Sequence, residues 1–218
     1  MTPERYPPDI FGARKGATNS RGRRAVDVLA MNDRLDVDGA IALCLDTFVW
    51  GWRGWLEVLE ESAKTLEADS PEEGERIAGP LELLRAWDGF MEAESEAATL
   101  YYAWKMVLRG LVKEGDLEVA PDPASLSREK RLGAARALLR AAADLEERFG
   151  SERVPWGRVN RLRRGDRSFP VGGASPKHIG ISTLRAVGTR PGPDGTLTAV
   201  SGQTCPTVVV LEGPGKVR

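Results

Sequence analysis

Apolar positions recur at helical spacing through the first two thirds of the chain and give way to short β-branched runs in the last third. A short helix is expected over residues 21–31, capped by Ser20, with Val26, Leu29 and Ala30 facing inward. Asp36 opens a second, in which Ile41, Cys44, Leu45 and Phe48 share one face. Trp50, Trp52 and Trp55 bracket Gly51 and Gly54, so a third helix starts from a bend and runs to Leu66. Pro71 opens a fourth with Ile77, Leu81, Leu84 and Trp87 inward, and Pro80 inside it predicts a break or kink. That helix closes in Trp87-Asp88-Gly89, with Gly89 suited to a left-handed cap, and Ser95 then caps a fifth. Ala97, Leu100, Tyr101, Trp104, Leu108 and Leu111 fall on one stripe of that fifth helix. The longest prediction covers residues 128–149, between Ser127 and Gly150, with Leu132, Ala135, Leu139, Ala142, Leu145 and Phe149 inward.

Glycine and proline multiply after Gly150, and strands are expected over residues 179–187, 196–200 and 207–211, with Pro193-Asp194-Gly195 as a turn. The chain is therefore expected to be α+β. Residues 1–19 form an irregular opening segment, 20–150 a mainly helical portion and 151–218 a strand-rich tail.

Composition adds bounds. The 218 residues can bury a sizeable core, and 41% hydrophobic with 29% charged residues is ordinary for a globular chain. No apolar run has the length of a membrane span, and the N-terminus lacks a charged-then-apolar signal pattern, so no membrane partner is expected and the compartment stays open. Cys44 and Cys205 make no metal-ligand spacing, and Cys44 reads as core. The net charge of −1 conceals an uneven split: residues 151–218 hold 11 Lys/Arg against 4 Asp/Glu, and residues 1–150 hold 20 against 28. Opposed halves of this kind attract each other or a further surface. Five arginines over residues 158–167 raise nucleic-acid binding, but aromatics are not interleaved with them and the pI is near 6.0, so no nucleic-acid partner is expected. Salt bridges to the acidic helical portion would account for the run. His178, the only histidine, has no Cys or second His at ligand spacing. Trp50, Trp52, Trp55, Trp87 and Trp104 suit an aromatic pocket or core packing; Trp87 and Trp104 read as core, Trp50 and Trp52 as partly exposed.

Three stretches carry a family resemblance. They are Leu83-Leu84-Arg85-Ala86-Trp87-Asp88-Gly89 with the Ser95 helix, Asn19-Ser20-Arg21-Gly22-Arg23-Arg24-Ala25-Val26-Asp27, and Trp156-Gly157-Arg158-Val159-Asn160-Arg161-Leu162-Arg163-Arg164-Gly165-Asp166 continuing through Phe169-Pro170-Val171-Gly172-Gly173. In order and spacing they resemble the C-terminal half of the large chain of the penicillin acylase family, hydrolases of the N-terminal-nucleophile class. The resemblance implies one partial domain of that fold, whose strands join a sandwich of sheets built with upstream sequence.

It also implies a chemistry. In the family a precursor cuts itself to expose an N-terminal serine, whose own amine acts as base toward the amide carbonyl. An asparagine and a backbone N–H hold the oxyanion. Thr2-Pro3 matches the pair that follows this asparagine, which places the asparagine and the serine upstream of Met1. The chain is thus expected to be part of an acylase acting on linear amides, such as β-lactam antibiotics or N-acyl homoserine lactones. Its partners would be the missing N-terminal part of the precursor, or its small chain, and a small-molecule amide. On its own it is expected to be inactive. The alternative is a non-catalytic helical interaction module derived from an acylase. Complete family members are often exported or periplasmic.

Two residues take roles from the resemblance. Arg21 matches an arginine that supports the oxyanion asparagine and substrate; read from composition it is one of a solvated cluster with Arg23 and Arg24. Arg24 is expected to be uncommitted, a control for Arg21. Asp9, after Tyr6-Pro7-Pro8, matches a calcium ligand of several family members, and alone it reads as an exposed aspartate. Thr2 would pair an amine with a hydroxyl if Met1 were removed, but Pro3 and the register argue against that nucleophile.

Overall fold

The computed structural model describes residues 18–32, 34–111, 117–203 and 206–210. Thr2, Asp9, Cys205 and nearly all of the 1–19 segment lie outside them. Seven α-helices are found among the described residues: α1 (Ser20–Ala30), α2 (Val37–Cys44), α3 (Trp52–Asp69), α4 (Pro71–Arg85), α5 (Glu96–Leu108), α6 (Arg128–Phe149) and the single turn α7 (Trp156–Val159). Four strands follow: β1 (Asn160–Arg164), β2 (Arg167–Pro170), β3 (Val187–Pro191) and β4 (Leu197–Gly202). The chain is α+β, helical first and sheet last.

Local signals start and stop the central helices. The Ser70, Ser95 and Ser127 hydroxyls accept from the Glu73, Ala98 and Lys130 amides, and Pro71 occupies a first-turn position where no N–H is needed. Gly150 ends α6 in a left-handed conformation, its N–H bonded to the Glu146 carbonyl at 2.8 Å. Helices α3, α4, α5 and α6 pack around one core, in which Leu59, Leu66, Leu100, Trp104, Leu138 and Ala141 are fully buried. Rings run through it: Trp52 meets Trp87 at 5.2 Å, Trp87 meets Tyr101 at 4.8 Å, and Trp104 meets Trp55 at 6.1 Å. All of the predicted tryptophans except Trp50 are core; Trp52 is buried, contrary to expectation. Gly89 lies three residues beyond the α4 cap, Ala86, rather than being that cap. At φ +89° a Cβ there would come within 2.2 Å of the Trp52 ring nitrogen, so only glycine fits.

Other expectations fail for physical reasons. Helix α4 is not broken at Pro80: it runs unbroken from Pro71 to Arg85, and Pro80 is buried in it, as are Ile77, Leu81 and Leu84. Asn19, not Ser20, caps α1, accepting from the Gly22 amide. Val26 and Leu29 on α1, Ile41 on α2 and its cap residue Leu45 are exposed, as is Ala30, and Cys44 is half-buried, because no described element covers that apolar face. Leu111 lies past the end of α5 and is exposed.

The sheet has the order β2-β1-β4-β3, with β1–β2 and β3–β4 antiparallel and β1–β4 parallel. The 196–200 strand is found as β4, and Pro193-Asp194-Gly195 makes the turn before it. The 179–187 strand is not formed. Ile179 and Ile181 are buried in an irregular loop, and the Thr183 hydroxyl bonds to the Arg185 carbonyl, so these residues fill space instead of extending. Residues 207–210 are irregular, and Leu211 lies outside the described residues. The Trp156–Gly173 stretch fastens sheet to helices. Trp156 Nε1 and Asn160 Nδ2 both donate to the Gly173 carbonyl, Asn160 Nδ2 also reaches the Val171 carbonyl, and the Gly173 amide donates to Met91. Arg161, Arg163 and Arg164 therefore belong to a sheet strand. None of the five arginines between 158 and 167 forms an ion pair among the described residues, so the expected bridges to the acidic portion are not made there.

Candidate functional site

Arg21 stands on the first turn of α1, half-buried, and forms no hydrogen bond or ion pair among the described residues. Its neighbours are committed. Arg23 Nε donates to the Thr18 carbonyl at 2.9 Å, and its guanidinium lies over the Trp50 ring. Arg24 forms a close pair with Asp46 at 2.6 Å, with side-chain exposures of 17% and 9%, and stacks over Phe48 and Phe90. Arg24 is thus a structural residue that ties α1 to the loop after α2, and it does not serve as a neutral control. Trp50 is half-buried and donates to Asp27 of α1 at 2.9 Å.

The start of α1 is held from a distant part of the sequence. The Ser20 amide donates to Glu118 Oε1 at 2.7 Å, and Ser20 is buried. A carboxylate against a helix N-terminus is the favourable polarity. Leu117, the residue before Glu118, is fixed from two sides. Lys105 on α5 is completely buried, and its Nζ donates to the Leu117 carbonyl at 2.8 Å while lying 3.5 Å from the centre of the Trp55 ring. Burial holds the Lys105 amine well below the ordinary lysine range. From the other side Gly180, at φ +71°, sits so close that a Cβ would come within 1.9 Å of the Leu117 oxygen. Asn19, Ser20, Glu118, Lys177, Gly180 and Ser182 enclose a cavity of about 70 Å³, room for about two water molecules. The Ser182 hydroxyl is buried there without a hydrogen-bond partner.

Sequence reasoning singled out Arg21 and did not single out Glu118, Lys105 or Ser182. Glu118 is one of many acids in the helical portion, and nothing local marks it as the acceptor for residue 20. His178 is exposed on the short turn Lys177–Ile179, beside the lysine that lines the cavity. Asp9 lies outside the described residues, and no group of three or more His, Cys, Asp or Glu suited to a metal ion occurs among those described. The described residues do not by themselves fit a calcium site. A groove of about 990 Å³ lies elsewhere, lined by Trp55, Val58, Leu108 and Gly133 among others. No helix among the described residues is long and apolar enough to cross a membrane.

A family model described as penicillin amidase matches residues 1–218, the whole of the sequence. No curated protein matches the chain at a significant level.

Proposed function

The chain belongs to the penicillin amidase family, and from that membership, which supports an acylase- or amidase-like hydrolase, we propose that it forms part of an enzyme cleaving linear amides, with Arg21 in a supporting role. The substrates are small amides that join an acyl side chain to an amine, of the β-lactam or N-acyl homoserine lactone kind. The observation that carries this reading is the uncommitted guanidinium of Arg21. Arg23 and Arg24, on the same turns, are both used in holding α1, whereas Arg21 is half-buried and makes no hydrogen bond or ion pair among the described residues. A planar fork that stays charged at every working pH suits a group that orients an asparagine or a substrate oxygen. The nucleophilic serine and oxyanion asparagine are supplied by the remainder of the precursor, the partner in this reading. Among the described residues the sheet edges β2 and β3 have no outer partner strand, which supports such a partner. Asp9 contributes one calcium ligand in the assembled enzyme, and the other oxygen ligands come from the partner.

The test is hydrolysis of a chromogenic phenylacetyl or fatty-acyl anilide by the assembled enzyme. Arg21→Ala lowers turnover by about 10²-fold, the scale for losing one group of an oxyanion site. Arg34→Ala, an exposed arginine outside these contacts, leaves it unchanged. Full activity of Arg21→Ala removes the site from this chain, and turnover by the 218 residues alone removes the need for the partner. A second reading, a non-catalytic interaction module, draws on the exposed apolar face of α1 and α2, where Val26, Leu29, Ile41 and Leu45 lie open.

A further inference from the structure

The sheet carries a cluster of arginines that neither the fold nor the proposed reaction uses. Strand β4 lies between β1 and β3, and Thr198 of β4 is paired with Arg161 on one side and Arg190 on the other. Arg163 and Arg164, further along β1, close on β4 from the same side as Arg161. With Arg190 they line an open depression of about 720 Å³, floored by Thr198, Ala199 and Val200 and walled by the 191–193 turn. Arg161 is spent internally on Gly157 and Ser168. The other three are not.

Arg163 Nη2 donates to the Thr196 hydroxyl at 3.1 Å, but its Nε is buried with no acceptor. Arg164 makes one bond, to the Arg163 carbonyl, and Arg190 makes none among the described residues. None of the three forms an ion pair among the described residues. Elsewhere the chain does pair its arginines: Arg85 with Glu60, Arg136 with Asp69 and Glu73, Arg24 with Asp46. Three like charges facing one depression repel one another, and a buried cationic donor without an acceptor is costly. An incoming anion lowers the first of these costs by screening the like charges.

We propose that this depression binds an extended acidic peptide segment. The walls give the reason for that class. No aromatic side chain is present on which a base could stack, which disfavours single-stranded nucleic acid. The depression is wide and open rather than a closed cradle, which disfavours a single phosphate. It also adjoins β3, an edge strand with no described partner on its outer side, where an extended chain can lie alongside. Guanidinium forks match carboxylates in bidentate geometry, so glutamate or aspartate side chains spaced along such a segment meet the arginines in turn.

The experiment uses the full chain and a fluorescein-labelled oligoglutamate peptide, followed by anisotropy at low salt. The expected result is saturable binding that falls steeply with added salt. It weakens by about tenfold in each of Arg164→Gln and Arg190→Gln, the scale of one charge-assisted bond. Both residues are exposed, so the variants retain the wild-type circular dichroism. Arg109→Gln, exposed at the end of α5, binds like wild type. Inorganic phosphate competes only at far higher concentration, and an oligoglutamine peptide does not bind. The proposal is overturned if oligoglutamate fails to bind, if the two substitutions leave binding unchanged, if phosphate competes as well as the peptide, or if a single-stranded oligonucleotide binds as tightly.

Discussion

Replacing Lys105 with methionine should change how the stability of this protein depends on pH. The amine is completely buried, held by one bond to the Leu117 carbonyl and by the Trp55 face, and desolvation lowers its pKa well below the usual 10.5. Between the lowered folded value and the ordinary unfolded one, the amine is neutral in the folded chain and protonated in the unfolded chain. Folding therefore expels a proton there, and raising the pH through that interval favours the folded state, with a slope of about 1.4 kcal/mol per pH unit. Lys105→Met keeps the length and the apolar stem, cannot titrate, and loses this slope. Tyr101 and Tyr102, whose phenols burial pushes up, act in the opposite direction only near and above their ordinary pKa, and they act equally in both proteins. Urea unfolding followed by fluorescence of the buried tryptophans at a series of pH values gives both curves. Methionine also leaves the Leu117 carbonyl without its donor, so hydrogen exchange at the Ser20 amide, held through Glu118, should quicken. Parallel stability curves for the two proteins would refute the reasoning, since they require an amine that is charged in the folded state.

Gly180→Ala should destabilise by more than about 2 kcal/mol, since alanine is strained at φ +71° and its Cβ would press on the Leu117 oxygen; urea midpoints check it, and a wild-type midpoint would show that the 117–118 segment moves freely. Arg24→Ala should cost about 3 kcal/mol, because it leaves the Asp46 carboxylate mostly buried and unpaired. A double cycle with Asp46→Ala should recover most of that loss, and additive effects would mean that the pair is not coupled.

Helices α5 and α6 were legible because their ends are marked by single residues acting locally. Ser95, Ser127 and Gly150 do in the structure what their chemistry requires of any chain. Helices α1 and α2 show the limit of periodicity. It identifies which side chains share a face, but not whether anything lies against that face, and Val26, Leu29, Ile41 and Leu45 share faces that no described element covers. Pro80 marks a different limit: a local penalty of one hydrogen bond does not end the helix, and the ring is buried, which sequence spacing does not reveal. In the tail, β-branched composition identified β4 but misplaced the preceding strand, because Ile179, Ile181 and Thr183 satisfy their burial within an irregular loop.

The candidate site divides along the same line. Arg21 could be named because the residues around it, Asn19 to Asp27, are contiguous and resemble a family pattern. What fixes its position could not be, because Ser20 and Glu118 are 98 positions apart and Lys105 reaches Leu117 through a single carbonyl. The two kinds of residue carry different obligations. A group proposed to meet a substrate oxygen must keep its donors free, and among the described residues nothing bonds to Arg21. The groups that hold it must spend theirs, and Glu118, Lys105 and Arg24 all do. Protonating Lys105 carries a desolvation cost, since no carboxylate pairs with it among the described residues. The support under Arg21 therefore weakens as the pH falls toward the pKa of Lys105, even though the arginine keeps its own charge throughout. An acid limit on activity in the assembled enzyme that Lys105→Met abolishes would place this control in the buried amine, and a limit that survives the substitution would place it among the catalytic groups.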